Sequence, residues 1–179
     1  MPLFRRPDGD LVRDLPNVRR IMPYLMRGRN ESAVYHEARY GTERARAWLH
    51  TFNLSRPGAA PATLFHLYLW ACARALHERP GLNRFVSGGR IYARRGVWIS
   101  FAAKRAFRDD APIVTCKLEF PEGEAFAACV HRVLASIGEG RSGRPQAVDR
   151  ELSLAFRFPG ALLGIGVALL RRLDAWNLM

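Results

Sequence analysis

The sequence predicts an α/β domain in which a mixed sheet is flanked by helices. Two observations carry this prediction. Helical and strand patterns interleave along the chain instead of segregating into halves, which is how helices come to cover a sheet. In the centre, from Thr63 to Lys104, an apolar-faced helix, a two-glycine turn and a β-branched strand follow one another without interruption.

Residues 1–16 hold three prolines, Gly9 and alternating charges, the pattern of an extended N-terminal arm leading into one domain over 17–179. Val18, Ile21, Met22 and Leu25 then recur at helical spacing, and Pro23 among them removes a backbone donor, so this helix is short or kinked. Ser32 to Tyr40 reads as a strand built on Val34 and Tyr35, with those side chains on opposite faces. Thr42 is placed to cap a helix with Ala45, Trp48, Leu49 and Phe52 on one face, and Glu43 in the first turn suits the helix dipole. After a loop over Ser55 to Pro61, Thr63 caps the central helix. Its predicted buried stripe is Phe65, Leu69, Cys72 and Leu76, and Pro80-Gly81 ends it.

Arg84-Phe85-Val86 and Arg90-Ile91-Tyr92 flank Ser87-Gly88-Gly89, a pair of glycines that supplies the positive φ angles of a tight hairpin. Val97 to Ala103 continues as a strand. From Ile113 to Phe120 the set Val114, Cys116, Leu118 and Phe120 alternates with more polar neighbours, which predicts a further strand of the same sheet with one buried face. Phe126, Val130, Val133 and Ile137 mark another amphipathic helix. A loop over Gly138 to Pro145 and a last helical region from about Asp149 to Leu178 follow.

The formal charge of +12 would attract polyanions. The basic residues do not form a binding stripe, however. Of 28, only Lys104 and Lys117 are lysines, and the arginines are scattered with no run of five or six. With no interleaved aromatics and no recognised motif, this argues against a dedicated nucleic-acid site. Cys72, Cys116 and Cys129 lie inside apolar patterns without C-x-x-C spacing, so they read as buried hydrophobes in a reducing compartment, and the N-terminus lacks a signal-peptide core. A cytoplasmic protein is expected. The ten residues Ala161 to Leu170 are apolar but fall short of the roughly 20 that span a bilayer, which argues against a membrane partner. Leu162, Gly166, Leu169, Leu173 and Trp176 form one stripe of this helix, expected to pack on a core or a partner.

Gly138-Glu139-Gly140-Arg141-Ser142-Gly143 spells G-x-G-x-x-G, yet it follows a helix instead of a strand and runs into Arg144-Pro145, so a solvated loop is expected. The five histidines, His36, His50, His66, His77 and His131, have no mutual spacing that would make a metal site, and Asp109-Asp110 before Pro112 reads as a turn. No metal and no bound cofactor are expected. Arg29-Asn30-Glu31-Ser32 places a guanidinium, an amide, a carboxylate and a hydroxyl within one turn. Such a cluster either fixes the start of the following strand or binds a polar substrate.

From Val18 to Ile137 the order of elements and several strings resemble the acyltransferase catalytic domain of 2-oxo acid dehydrogenase complexes, in the chloramphenicol acetyltransferase-like superfamily. The strings are Arg29-Asn30-Glu31-Ser32 with Ala33 to Tyr40, the helices from Thr42 and Leu64, Pro80-Gly81-Leu82-Asn83-Arg84-Phe85, and the strands Ile91 to Ala103 and Pro112 to Phe120. The chain is most similar to stand-alone bacterial members, without lipoyl or subunit-binding domains.

The resemblance implies a homotrimer that transfers an acyl group from acyl-CoA to a small-molecule thiol, hydroxyl or amine acceptor. A histidine acts as general base and a hydroxyl stabilises the oxyanion. By matching position, Tyr35 and His36 would run along the acceptor side of the substrate channel; Arg29, Asn30 and Ser32 of the polar cluster before them are the further candidate substrate-binding residues, or else a salt-bridge hub. Tyr35 reads equally as a core aromatic, and His36 as a polar residue on the opposite strand face. The family's His-x-x-x-Asp-Gly motif is missing, because Tyr40, Leu54, Trp70, Gly81 and Ala135 stand four residues after the histidines. The expectation is therefore an N-terminal portion of such a domain with its last strands missing: an incomplete enzyme, or a non-catalytic relative that serves association.

Overall fold

The structure, a computed structural model, describes residues 6–26, 28–106, 108–109, 111–142 and 160–176. It combines helices with small antiparallel sheets and divides into two compact units. One comprises Met1–Val34, Pro80–Arg95 and Pro145–Met179; the other comprises Tyr35–Arg79 and Gly96–Arg144.

In the first unit the hairpin forms as the glycine pair predicts. Strands β2 (Arg84–Ser87) and β3 (Arg90–Arg94) pair from Ser87↔Arg90 to Arg84↔Ala93, and Gly88 and Gly89 between them have φ of 54° and 74°. Both central residues being left-handed gives the turn whose twist matches that of the strands. The N-terminal arm contributes a third strand, β1 (Gly9–Leu11), antiparallel to β3, so the order is β1-β3-β2.

Tyr92 on the central strand is completely buried and stacks on Phe85, with centroids 5.5 Å apart. Arg6 secures this unit. Its guanidinium reaches Asp8 and Asp174 Oδ1, each at 2.8 Å, and also Ser87 Oγ at 2.8 Å. It thereby links the arm, the hairpin and helix α6 (Gly160–Ala175). Helix α1 (Asn17–Leu25) ends two residues after Pro23, and the turn α2 (Arg29–Ser32) follows.

The second unit is built on helices α3 (Glu43–Leu54), α4 (Leu64–Glu78) and α5 (Phe126–Arg141) with the ribbon of β4 (Trp98–Lys104) and β5 (Ile113–Glu119). The alternation in β5 appears as expected: Val114 and Cys116 are buried, Leu118 is partly buried, and Phe120 just beyond is 2% exposed. Phe120 joins Leu69, Ala73, Val97, Cys129 and Val133 in one core cluster with Leu118 packed against it, while Leu49, Ala62, Phe126 and Val130 form a second. α4 begins after Thr63 as predicted. Thr63 N–H and Oγ1 both bond to Nδ1 of His66, at 3.1 and 2.8 Å.

Five expectations are corrected. First, the pairing among the described residues is wholly antiparallel and lies in two sheets, not one mixed sheet. Gly96, at φ 69°, lies between β3 and β4, and each strand takes a different partner. Second, Ser32 to Tyr40 is no strand. Ser32 closes the α2 turn, where its hydroxyl donates to Gly28 O at 3.1 Å, and residues 33–42 pair with nothing in a sheet. Val34 and Tyr35 are 92% and 96% exposed, so neither has the buried face that would hold a strand in a sheet.

Third, the buried face of α4 is His66, Leu69 and Ala73, about one position round from the predicted stripe, and Phe65 is 42% exposed. The His66–Thr63 contact turns that residue inward. Fourth, Gly138 to Arg141 continue α5 instead of forming a loop; Gly140 sits against Val114 where a side chain would not fit, and Gly143 to Pro145 lie outside the described residues. Fifth, the apolar stripe of α6 does not pack on a core among the described residues: Leu162 and Leu169 are each 56% exposed and Trp176 is 53%, and the alternative of packing on a partner stands as an expectation. Residues 143–159, which include the first third of the expected last helical region, also lie outside the described residues.

Candidate functional site

Arg29, Asn30 and Ser32 share the single turn α2, stabilised by Gly28 N–H donating to the Glu31 carboxylate at 3.4 Å. The side chain of Arg29 lies outside the described residues. Asn30 is exposed, and Ser32 lines a shallow groove of about 820 Å³ with Val18, Met22, Phe85 and Ile91. Tyr35 is 96% exposed, and His36 beside it is also exposed. The α2 cluster is therefore a local turn at the edge of an apolar groove, and Tyr35 and His36 stand in an extended segment beyond it.

A second candidate lies in the second unit. A cleft of about 370 Å³ opens between the C-terminal half of α4 and the loop joining β5 to α5. Trp70, Arg74 and His77 share one face of the helix at spacings of four and three, and Glu122, Gly123 and Glu124 line the opposite side. Two hydrogen bonds fix its walls. The Trp70 indole N–H donates to Glu124 O at 2.8 Å, and His77 Nε2 lies 2.8 Å from Phe120 O. A carbonyl only accepts, so Nε2 carries the proton. Gly123, at φ 72°, makes the tight turn of the loop that brings the two glutamates round.

Glu124 is the unusual member. Its side chain is 9% exposed, Oε1 pairs with Arg132 Nη1 at 3.1 Å, and the buried Oε2 has no hydrogen-bond partner. An ionised carboxylate oxygen buried without a donor is costly. Its charge is felt nearby: burial first, and Glu124 second, push the Cys129 thiol up to about 11, with Arg132 opposing. The guanidinium of Arg74 lies over the Trp70 ring at 5.0 Å and pairs loosely with Glu78 at 3.5 Å.

Sequence reasoning missed this cleft. The Trp70, Arg74 and His77 spacing was visible, but Glu124 meets them only through the packing of α5 on α4. His66 is a second buried polar group: Nδ1 accepts from Thr63, while Nε2 has no partner, and burial lowers its pKa. The remaining histidines, His36, His50 and His131, are exposed. Among the described residues no group of three His, Cys, Asp or Glu side chains could hold a metal ion, and no helix is long and apolar enough to cross a membrane. No family model, curated protein or solved structure matches the chain.

Proposed function

We propose that the chain is a non-catalytic association domain on a chloramphenicol acetyltransferase-like scaffold, completed by strands from further copies of itself. The observation that carries this reading is the β4–β5 ribbon. A two-stranded sheet is marginal alone and gains stability from added strands or a covering helix. Helices cover one face, but both outer edges lack a strand partner among the described residues.

The register identifies the outward-facing groups. Phe120 N–H donates to Val97 O at 2.8 Å and Arg105 N–H to Pro112 O at 3.0 Å, and the pairs between them follow Trp98↔Glu119 to Lys104↔Ile113. Hydrogen-bonded pairs alternate along an antiparallel ladder. Trp98, Ser100, Ala102 and Lys104 on β4, and Ile113, Thr115, Lys117 and Glu119 on β5, therefore turn their backbone groups outward; Arg141 Nε donates to Lys104 O and Arg132 Nη2 to Glu119 O, and neither row has a strand partner among the described residues. Neither row contains a proline. The two lysines of the chain stand one in each row, a device that discourages indiscriminate edge pairing and leaves a specific partner as the preferred solution. Pairing the β4 edge of one copy with the β5 edge of the next is a head-to-tail contact, which closes as a ring of the kind the resemblance implies, a homotrimer.

Light scattering coupled to size exclusion tests this. The wild type is expected as a trimer, and Thr115→Pro, which removes an outward N–H and leaves the β4–β5 bonds in place, as a monomer. Thr115→Ala should still assemble. A monomeric wild type at tens of micromolar would reject the reading.

Acyl transfer from acyl-CoA to a thiol, hydroxyl or amine acceptor is the second reading. It is favoured by the order α3, α4, β2, β3, β4, β5, α5, which follows that of the acyltransferases. The reaction needs a base to deprotonate the acceptor and donors for the oxyanion. Among the described residues no histidine has a carboxylate or thiol partner. Turnover of acetyl-CoA with thiol or amine acceptors above background would establish this second reading over the first.

A further inference from the structure

The Trp70–Glu124 cleft is acidic on a basic protein. Three of the ten residues lining it, Glu78, Glu122 and Glu124, are acidic against one arginine, Arg74, whereas the whole chain has 28 basic residues and 16 acidic ones. Three independent features there favour a cation. The C-terminal turn of α4 forms one wall, and the exposed carbonyls of a helix end carry partial negative charge. Trp70 offers an indole face, and that face already takes a guanidinium, since Arg74 sits 5.0 Å from its centroid. Glu124 supplies a carboxylate that is 9% exposed, held by Arg132 through Oε1 alone so that its buried Oε2 has no donor, and Glu122 is exposed and makes no ion pair among the described residues.

From this arrangement we infer that the cleft binds an alkylammonium group, with its methylene stem along Trp70 and its N–H donors shared between Glu122 and Glu124. An ammonium has three donors and no acceptor, which matches a site whose unmet needs are all for donors. A neutral hydroxyl offers a carboxylate one donor and no charge, and an anion meets three carboxylates. Arg74 is the internal competitor. Its side chain is 60% exposed and its contact with Glu78 is long at 3.5 Å, so a ligand displaces a weakly held group. The same chemistry is carried by a free aliphatic amine and by a lysine side chain of a peptide.

The test uses the full chain, calorimetric titration and the indole N–H resonance of Trp70, assigned by its loss in Trp70→Phe. Cadaverine represents the free amine, a terminally blocked lysine dipeptide the peptide source, and 1,5-pentanediol the neutral control. At least one of the two amines should bind with a Kd on the order of 1 mM or tighter, shifting the Trp70 resonance, while the diol leaves it in place. Preference for cadaverine or for the dipeptide assigns the source.

Glu122→Gln, at an exposed position outside the core, should weaken binding about fivefold, and Glu124→Gln about tenfold or more. Arg74→Ala should tighten it by about threefold, a gain that misfolding cannot produce. Equal responses to cadaverine and the diol, an unmoved Trp70 resonance, or an affinity indifferent to both Glu122→Gln and Arg74→Ala would each overturn the inference.

Discussion

Replacing Gly140 with alanine sets two known effects against each other. In an isolated helix the change would stabilise by about 1 kcal/mol. Here the added Cβ would lie 2.6 Å from Val114 Cγ1 and 3.4 Å from its Cβ. Comfortable carbon contacts lie near 3.5–4.0 Å, so about 1 Å of overlap must be relieved. Val114 cannot yield easily, because it is 3% exposed and sits on the inner face of β5, where α5 packs. Either α5 lifts from the ribbon or the valine leaves its rotamer, at about 1–3 kcal/mol. Gly140 lies next to the last residue of α5, so the helix-propensity gain is only partly realised.

The net expectation is a loss of about 1–2 kcal/mol, read by urea denaturation followed by circular dichroism. Val114→Ala alone should cost about 2–3 kcal/mol from lost burial and the void it leaves. In the double variant the new methyl occupies that void, so the combined cost should fall short of the sum by about 2 kcal/mol. A fully stable Gly140→Ala, or strict additivity with Val114→Ala, would refute the view that glycine is required there for α5 to approach β5.

Two further perturbations probe buried polar groups. Arg6→Met removes a guanidinium that is 11% exposed from between Asp8 and Asp174, which keep 38% and 50% of their exposure and so remain partly solvated. The loss should be about 2–3 kcal/mol in the first unit, measured by denaturation, and a change under about 0.5 kcal/mol would contradict its bridging role. His66 is held neutral by burial, which lowers its pKa. The unfolded chain therefore binds the proton more readily. The stability contributed by the neutral ring is complete above about pH 6.5 and declines as pH falls below that value. His66→Gln should flatten this decline, and an unchanged slope of stability between about pH 5 and 7 would assign the decline to other groups.

Local signals were legible wherever one or two residues suffice to decide. The Gly88-Gly89 pair fixed the hairpin, the alternation from Val114 to Phe120 fixed the inner face of β5, and Thr63 with Pro80-Gly81 bounded α4. Signals failed where a distant neighbour decides. The glycines after Ile137 look like a loop in sequence, yet α5 continues through Gly140 because Val114 packs against a backbone without a side chain. Val34 and Tyr35 have strand propensity, but a strand needs a ladder, and the α2 turn and the charged residues around them supply none. The acyltransferase resemblance rested on order, so it directed attention to Arg29, Asn30, Ser32, Tyr35 and His36 and away from Glu124. Nothing local marks Glu124 as buried, because its environment is assembled from α4, the β5–α5 loop and Arg132 on α5.

The charge of the whole chain and the charge of the cleft act over different distances, and this reconciles a basic protein with a cation site. At physiological ionic strength the field of a surface charge decays over about 8 Å. An ammonium at hydrogen-bonding distance from Glu122 and Glu124 responds to those carboxylates, while most of the scattered arginines are screened from it. The net charge of +12 acts chiefly during approach, where it repels the ligand. Salt therefore weakens the attraction at contact and the repulsion at long range together, and the two changes oppose each other. A polyanion on the same protein would have contact and long-range attraction of one sign, so salt would remove both and its affinity would fall steeply. Cadaverine affinity that varies shallowly with salt is the behaviour of an acidic cleft embedded in a basic surface.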